Sequence, residues 1–232
     1  MRKSRSFIIL CPYYDSGIKS LGSKCLFSIK RKKIIEKQIT SIEKFCKNTR
    51  YEIILVNSIE HNRTLKFIEN KKLNISYSHL DVDNINYGGS LIEGLKLAKY
   101  DNIYTIESGL VFSVNALNVF SLQKTEHDIL IGCIHQKHQQ YNDIDLGCIV
   151  NQEKVSNIFF GLENKYIGLS YLNNKAKEFI VNNFDIKING NKFMFEIINQ
   201  CISQNLTCKT ILLKSKDTHL IYNKKSIQQY IG

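Results

Sequence analysis

The stretch "NIYTIESGLVFS", residues 102–113, has the pattern of a buried strand that runs into a tight turn. The first apolar run ends at Ile106, the turn residues are Glu107, Ser108 and Gly109, and a second apolar run follows. In open α/β sheets, ligands bind at the carboxyl ends of the strands. This stretch therefore predicts a strand whose end belongs to a ligand site.

Upstream of this stretch, short apolar strands alternate with segments of helical periodicity. Apolar residues recur in residues 33–47 at the spacing of a helix face. Strands separated by helices form right-handed crossovers and a mainly parallel sheet. The predicted strands are 6–12, 51–58 and 73–80, and the predicted helices are 33–47, 61–70 and the segment that follows the glycine turn at 87–90.

The second half changes character, because several strands follow one another directly. Strands are predicted at 128–136, 146–151 and 155–161, helices at 173–183 and 192–204, and a last strand and a short helix near the end of the sequence. We find no linker, repeat or low-complexity segment. We therefore predict a single domain over residues 1–232, with an α/β fold: a three-layer α/β/α sandwich around a mixed, mainly parallel sheet.

Composition narrows the class of protein and its partners. The formal net charge is +11, but lysines are spread along the chain and the only tight basic cluster is residues 30–33, so the sequence does not favour a nucleic-acid partner. No apolar run approaches the roughly 18 residues of a membrane-spanning helix, so we expect no membrane insertion. Seven cysteines without a CxxC pair indicate a reduced, cytoplasmic protein.

The order and hydrophobic spacing of five stretches resemble those of the sugar-phosphate nucleotidyltransferases and their phosphocholine-cytidylyltransferase-like relatives. These stretches are residues 22–45, 51–57, 86–112, 161–179 and 192–206. The resemblance implies a nucleotide-diphospho-sugar transferase fold of the Rossmann-like kind. It also implies transfer of a nucleotidyl group from an NTP, CTP or UTP, to a phosphorylated sugar or alcohol used for surface glycans, with Mg²⁺ as the cofactor.

The phosphate loop of the family reads Ala-Ala-Gly-x-Gly-x-Arg, and the matching stretch here is "CPYYDSGIKSLGSK", residues 11–24. Gly17, Lys19 and Gly22 remain as loop elements that would let backbone N–H groups approach phosphates. The resemblance places Lys24 at the family's loop lysine, a compact charge for phosphate. The alternative for Lys24 is an exposed surface lysine.

This sequence has no acidic residue at the positions where the resemblance places the family's metal ligands. Gly109 stands where the resemblance places a metal-binding Asp, and the acidic positions near the end of the family's chain read Leu220, Tyr222 and Ser226. Glu107 lies two residues before Gly109 and is the candidate metal ligand and catalytic carboxylate. Two outcomes stay open: an enzyme that uses Glu107, or a non-catalytic relative that binds a nucleotide or a partner protein.

A second acidic pattern in the sequence supports a different class of enzyme. Asp81 and Asp83 have the Asp-x-Asp spacing that places two carboxylates on one face of a strand, as metal chelation requires. GT-A glycosyltransferases use this spacing to hold a metal and a nucleotide sugar. The pair is therefore the metal site of an alternative prediction, a GT-A glycosyltransferase, and two ordinary loop residues are the remaining interpretation.

The sequence "YGGSL", residues 87–91, opens a predicted helix. Gly88 and Gly89 would let the first amides of the helix face a ligand, and Ser90 can cap the helix. In the nucleotidyltransferase interpretation these residues bind the nucleoside; otherwise they form an ordinary glycine turn. The sequence leaves the nucleotide, the acceptor and the oligomeric state open.

Overall fold

The computed structural model describes residues 4–12, 23–58, 60–81, 85–123, 126–135, 145–221, 227–228 and 230. The strands are β1 (Arg5–Cys11), β2 (Ser28–Ile29), β3 (Lys32–Lys33), β4 (Tyr51–Asn57), β5 (Ser76–His79), β6 (Ile103–Glu107), β7 (Leu110–Phe112), β8 (Ile129–His135), β9 (Leu146–Asn151), β10 (Lys154–Phe160), β11 (Asn164–Leu172), β12 (Cys208–Leu212) and β13 (Thr218–Leu220). The helices are α1 (Ile34–Phe45), α2 (His61–Asn70), α3 (Tyr87–Leu97), α4 (Val114–Leu122), α5 (Asn174–Asn183), α6 (Ile186–Asn189) and α7 (Met194–Ser203).

One large mixed sheet runs through the protein in the order β5-β4-β1-β6-β11-β8-β12-β10-β9. The first four of these strands are parallel, and β11 is antiparallel to both of its neighbours, β6 and β8. β9 and β10 pair antiparallel, and β9 also pairs with β11, so the sheet curls at this end. The predicted α/β class with a mixed sheet is confirmed.

The strand that joins the two halves, β11, was missed by the sequence prediction. The prediction placed no strand between residue 161 and the helix at 173, whereas β11 is buried throughout from Tyr166 to Leu172. A strand that is buried on both faces has no polar alternation to reveal it. The other strand predictions for the second half agree with β8, β9 and β10 within one residue. The terminal predicted helix lies mostly outside the described residues.

The two faces of the sheet are covered by different helices, which gives the predicted three layers. On β1, Ile8 and Leu10 point to a core that includes residues of α3, α5 and α7. Phe7 and Ile9 point to the opposite core, which includes residues of α1 and α4. This division follows from the two-residue period of a strand. Among the described helices, none is both long and apolar enough to cross a membrane.

The packing of α3 on β1 depends on Gly94, a buried residue in the middle of the helix. A Cβ at this position would clash with Cγ2 of Ile8 and would lie 3.3 Å from Cγ2 of Val56. In an exposed helix, Gly→Ala stabilises by about 1 kcal/mol. Here we expect Gly94→Ala to lower the melting temperature, because overpacking a core costs about 1–3 kcal/mol.

Thermal unfolding followed by circular dichroism measures this effect. Asn62→Ala, at an exposed position of α2, is the control and should leave the melting temperature unchanged or raise it. A Gly94→Ala protein that is as stable as the wild type would show that α3 does not pack this closely on β1.

A second stabilising feature is Asp128, just before β8, whose carboxylate connects three segments. It accepts hydrogen bonds from the backbone N and Oγ1 of Thr207, at 2.8 and 3.0 Å, and from Nδ2 of Asn173 at 3.1 Å. Nζ of Lys175 lies 3.1 Å from the same carboxylate. Burial by itself raises the pKa of Asp128, but these hydrogen bonds outweigh burial and hold the pKa below its ordinary value.

The pKa of Asp128 is therefore lower in the folded protein than in the unfolded chain. Its carboxylate stabilises the fold at pH values above the unfolded pKa, about 3.9, and this contribution is lost as the pH falls through the folded pKa. We expect Asp128→Asn to reduce the free energy of unfolding most above about pH 5, and less at about pH 3. Urea unfolding across this range tests it, with the exposed Glu69→Gln as the control. A loss of stability that is independent of pH would contradict the assignment.

Candidate active site

The four parallel strands end at one edge of the sheet, where ligands bind in folds of this kind. The last residues of β5, β4, β1 and β6 are His79, Asn57, Cys11 and Glu107. The strand order reverses at β1, because β4 and β5 lie on one side of it and β6 lies on the other. The crevice at such a reversal is the usual ligand site of an open α/β sheet.

The turn after β6 is held by a buried glutamine. Nε2 of Gln38, on α1, donates to the carbonyl oxygens of Glu107 and Leu110, at 3.0 and 2.8 Å. The backbone N of Ser108 donates to the carbonyl oxygen of Leu10 at 2.9 Å, which ties the turn to the end of β1. The side chain of Ser108 is fully buried, and its Oγ has no hydrogen-bond partner among the described residues.

Gly109 is a glycine because two other segments approach it closely. A Cβ at Gly109 would lie 2.6 Å from the carbonyl oxygen of Ile221 and 3.2 Å from Cδ of Lys24. The backbone N of Ile221 donates to the carbonyl oxygen of Gly109 at 2.9 Å, and the pairing of β13 with β7 continues this contact. The space that an Asp side chain would occupy here is therefore filled.

Lys24 and the turn at Glu107–Gly109, which the resemblance assigned to one site, lie together. Lys24 begins a 3₁₀ turn that ends at Leu26, and only 8% of the residue is exposed. The alternative of an exposed surface lysine is therefore wrong. Its aliphatic chain passes Gly109, which places the lysine beside the end of β6. A buried ammonium at this edge of the sheet is suited to a phosphate group.

Glu107 lies at the other side of the turn, beside the curled part of the sheet. A Cβ at Gly168, on β11, would lie 3.0 Å from Cβ of Glu107, and the φ of Gly168 is +80°. Glycine is required there for both reasons. Glu107 also lines a cavity of about 20 Å³, with Tyr87 and Tyr166 and the aromatic rings of residues 193 and 195.

The electrostatic effect of Glu107 reaches Tyr166. Burial raises the pKa of the Tyr166 phenol well above its ordinary value, and the nearby Glu107 carboxylate raises it further. Ser170 Oγ donates to the Tyr166 hydroxyl at 3.4 Å. The end of β6 therefore presents one carboxylate to an apolar cavity lined by both aromatic and aliphatic side chains.

The start of α3 differs in detail from the prediction. The N-cap is Asn86, whose side chain accepts from the backbone N of Tyr87 at 2.8 Å, so the prediction of Ser90 as the cap is wrong. Gly88 donates its N–H to the carbonyl oxygen of Lys192 at 3.0 Å. Cβ atoms at Gly88 and Gly89 would lie 2.5 and 2.7 Å from carbonyl oxygens of residues 192 and 190. The two glycines thus allow close packing of α3, while Ser90 is buried and its Oγ has no partner among the described residues.

Several predicted site residues lie outside the described residues: Gly17, Lys19 and Gly22 of the phosphate loop, Asp83 of the Asp-x-Asp pair, and Tyr222 and Ser226 near the end of the chain. Asp81 is described and is exposed just after β5. The nucleotide-binding role of Gly17, Lys19, Gly22, Gly88, Gly89 and Ser90 and the metal-binding role of Asp81 and Asp83 stay predictions.

The described residues do not fit the Mg²⁺ site that the resemblance implies. Gly109 has no room for a carboxylate, and Lys24 adds a positive charge at the same place. Within the described ranges, no group of three or more His, Cys, Asp or Glu side chains is arranged to hold a metal ion. Glu107 remains the one candidate carboxylate of the turn.

Sequence reasoning missed a polar cluster at the ends of β4 and β5, formed by Asn57, His61, Tyr77 and His79. Nδ1 of His79 lies 3.1 Å from the carbonyl oxygen of Asn57, and Nδ1 of His61 lies 2.9 Å from the Tyr77 hydroxyl. Burial raises the pKa of Tyr77, although its hydrogen bond to Asn57 lowers it in part. A partial signal was present in the sequence, because Asn57 and His79 are polar residues near the ends of the predicted strands 51–58 and 73–80.

Comparison with solved structures confirms the predicted fold. Over 99% of this chain and 98% of the other, the protein is similar to CTP:phosphocholine cytidylyltransferase from Streptococcus pneumoniae, with a TM-score of 0.75 and 14% identity. Inositol-1-phosphate CTP transferase from T. maritima is similar over 97% of this chain and 91% of that chain, with a TM-score of 0.75 and 12% identity.

A nucleoside-diphosphate-sugar pyrophosphorylase from Vibrio cholerae RC9 is similar over 98% of this chain and 99% of the other, with a TM-score of 0.70 and 11% identity. The sequence matches no protein-family model and no curated protein. The chain thus has the nucleotide-diphospho-sugar transferase fold, at full length, with sequence identities that show the fold alone.

The contacts of Gly109 give a direct test of the site geometry. We expect Gly109→Ala to destabilise the protein by about 1–3 kcal/mol, because its methyl group would overlap the carbonyl oxygen of Ile221, which is backbone and cannot rotate away. Ser108→Ala is the control in the same turn. It removes a buried hydroxyl without a described partner and should be neutral or stabilising. Chemical unfolding of both variants measures the difference, and equal stabilities would show that Ile221 does not close this site.

Proposed function

We propose that the protein transfers a nucleotidyl group from CTP or UTP to a phosphorylated sugar or alcohol, with release of pyrophosphate. The observation that carries the proposal is the position of Lys24, buried against the turn after β6 at the point where the strand order reverses. The full-length likeness to solved nucleotidyltransferases supports the same class. We place the activity in the cytoplasm and, as in the sequence prediction, in surface-glycan synthesis.

The reaction makes one P–O bond and breaks another. A phosphate oxygen of the acceptor attacks the α-phosphorus of the NTP, and the bond from the α-phosphorus to the bridging oxygen of the β-phosphate breaks. Pyrophosphate leaves with the electron pair of that bond. A phosphate monoester is largely ionised at pH 7, since its second pKa is about 6, so the attacking oxygen needs no strong base. Positioning and charge compensation are therefore the main tasks of the protein.

Lys24 is suited to compensating the charge that develops as pyrophosphate leaves. Its ammonium lies at the edge of the sheet, and burial in a place with low dielectric strengthens its attraction for phosphate oxygens. The neighbouring Ser108 hydroxyl has no partner among the described residues and can donate a hydrogen bond to a phosphate in the same crevice.

Glu107 is suited to the acceptor. Its carboxylate accepts hydrogen bonds and faces the cavity at the curled end of the sheet. A cavity of about 20 Å³ holds about one water molecule, so an acceptor enters only when the aromatic side chains around it move. Mg²⁺ stays part of the proposal only through Glu107 and the nucleotide's own phosphates, because Gly109 cannot carry a carboxylate.

Release of pyrophosphate from each of the four NTPs tests the proposal, with phosphocholine, inositol 1-phosphate and glucose 1-phosphate as acceptors. We expect turnover with CTP or UTP and a fall of at least about tenfold in kcat/KM for Lys24→Gln, because a charged hydrogen-bond donor to phosphate is removed. Lys66→Gln, at an exposed position of α2, is the control. The melting temperature of Lys24→Gln shows whether the variant is folded.

The same assay separates the alternatives. Binding of an NTP without pyrophosphate release, with and without Mg²⁺, would favour the non-catalytic relative. Glycosyl transfer from a nucleotide sugar that is lost in Asp81→Ala would favour the GT-A glycosyltransferase. Turnover that is unchanged in Lys24→Gln would exclude Lys24 from the phosphate site.

A further inference from the structure

His61, the first residue of α2, and His79, the last residue of β5, lie side by side near the end of β4, and we call them the histidine pair. His79 bonds to the backbone carbonyl of Asn57, and His61 bonds to the Tyr77 hydroxyl. The two imidazole rings lie 4.2 Å apart between centroids, with an angle of 36° between their planes. Both histidines are partly exposed, whereas Asn57 is fully buried. In both rings, the nitrogen that hydrogen-bonds to another described residue is Nδ1.

The partners of Nδ1 determine the tautomer of each ring. Nδ1 of His79 lies 3.1 Å from the carbonyl oxygen of Asn57, and a carbonyl oxygen can only accept. Nδ1 of neutral His79 therefore carries the proton, and its Nε2 is an acceptor. Nδ2 of Asn57 donates to the Tyr77 hydroxyl at 3.0 Å, so the hydroxyl directs its own proton to Nδ1 of His61, 2.9 Å away. Nε2 of His61 is then a donor.

The histidine pair thus offers one acceptor, Nε2 of His79, and one donor, Nε2–H of His61, on neighbouring rings. The Watson–Crick edges of cytosine and uracil carry a donor and an acceptor side by side, and proteins commonly read bases on this edge. Phosphates carry only acceptors at neutral pH and do not match the pair. The edge of a nucleobase matches the pair, because it carries both a donor and an acceptor.

The position of the pair relative to Lys24 fits a nucleotide. Lys24 lies beside the end of β6, and β5 lies three strands from β6, which is roughly 14 Å at the usual strand spacing. The segment that carries Lys24 is also tied to the segment that carries His61, because the backbone N of Ser23 donates to Oε2 of Glu60 at 2.7 Å. A nucleotide that places its phosphates at Lys24 can therefore place its base at the ends of β4 and β5.

We propose that His61 and His79 bind the base edge of the nucleotide through this donor and acceptor. The inference rests on the proposed function and adds to it the residues that read the base. The buried hydroxyl of Ser58, which follows Asn57 and has no partner among the described residues, is a further polar group at the same place.

Substitution by the two amide residues separates the reading role of a histidine from a structural role. Asparagine places its amide near Nδ1 of the histidine that it replaces, and glutamine places its amide near Nε2. His79→Asn therefore keeps the donor to the Asn57 carbonyl and removes the acceptor for the base. His79→Gln keeps a polar group for the base and removes the structural hydrogen bond. The matched variants His61→Asn and His61→Gln act in the same way at Tyr77.

Calorimetric titration with CTP, UTP and inorganic triphosphate measures base and phosphate binding separately. We expect His79→Asn and His61→Asn to weaken binding of CTP or UTP by about tenfold, the effect of one lost hydrogen bond, and to bind inorganic triphosphate like the wild type. The glutamine variants should retain more nucleotide affinity than the asparagine variants, even where their melting temperatures are lower. N3-methyluridine triphosphate, whose base edge is blocked, should bind more weakly than UTP.

Each contrary result has a distinct meaning. Nucleotide affinity that is unchanged in both asparagine variants, or equal binding of UTP and its N3-methyl derivative, would overturn the base-reading role and leave the proposed function standing. Loss of binding in the glutamine variants alone would assign the histidines a structural role. A wild-type protein that binds inorganic triphosphate no more weakly than any NTP would also overturn base reading. If the wild type binds neither, both the inference and the proposed function fail.

Discussion

The hydrogen bonds of one buried amide fix the geometry on which the candidate site depends. Gln38 donates from Nε2 to the carbonyl oxygens on both sides of the turn, those of Glu107 and Leu110, and holds the end of β6 to α1. A side chain that satisfies two main-chain carbonyls stabilises the turn in one conformation, since each buried carbonyl left without a donor would cost about 1–3 kcal/mol. The conformation of this turn determines the positions of Glu107, Ser108 and Gly109. Together with the bond from the backbone N of Ser108 to the carbonyl oxygen of Leu10, the Gln38 amide holds the strand end beside Lys24.

The second constraint on the site is steric, and it explains why the turn contains a glycine. The β13–β7 pairing brings the carbonyl oxygen of Ile221 to Gly109, and Lys24 fills the remaining side. A carboxylate in this place would need the backbone to move. A single substitution therefore cannot place an Asp here, because two other segments pack against Gly109. In the proposed function, Lys24 supplies the positive charge at this turn, as a point charge without the coordination geometry of a metal ion.

The sequence was sufficient to predict the parallel half of the sheet, because apolar strands and amphipathic helices alternate there with clear periods. It was also sufficient to bring Lys24 and Glu107 to one edge, through the resemblance of their segments. It did not reveal β11, whose continuous burial removes the alternation that marks a strand, or the packing role of Gly88 and Gly89. Close approach of a distant backbone, such as that of residues 190 and 192, leaves no local pattern. The histidine pair was missed because its members are 18 residues apart, at the start of α2 and the end of β5, and only the tertiary fold brings them together.

In the proposed function, the ends of the parallel strands let one edge of the sheet serve three chemical tasks. Asn57, His79 and Glu107 are each the last residue of a parallel strand, so their side chains lie along one edge of the sheet. The histidine pair lies at β4 and β5, the ammonium of Lys24 lies beside β6, and the carboxylate of Glu107 faces the cavity at β11. Strand spacing separates these groups by distances comparable to the parts of a nucleotide and its acceptor. In the proposed function, the order along the edge is base, phosphate and acceptor, and this direction follows from the order of strands in the sheet.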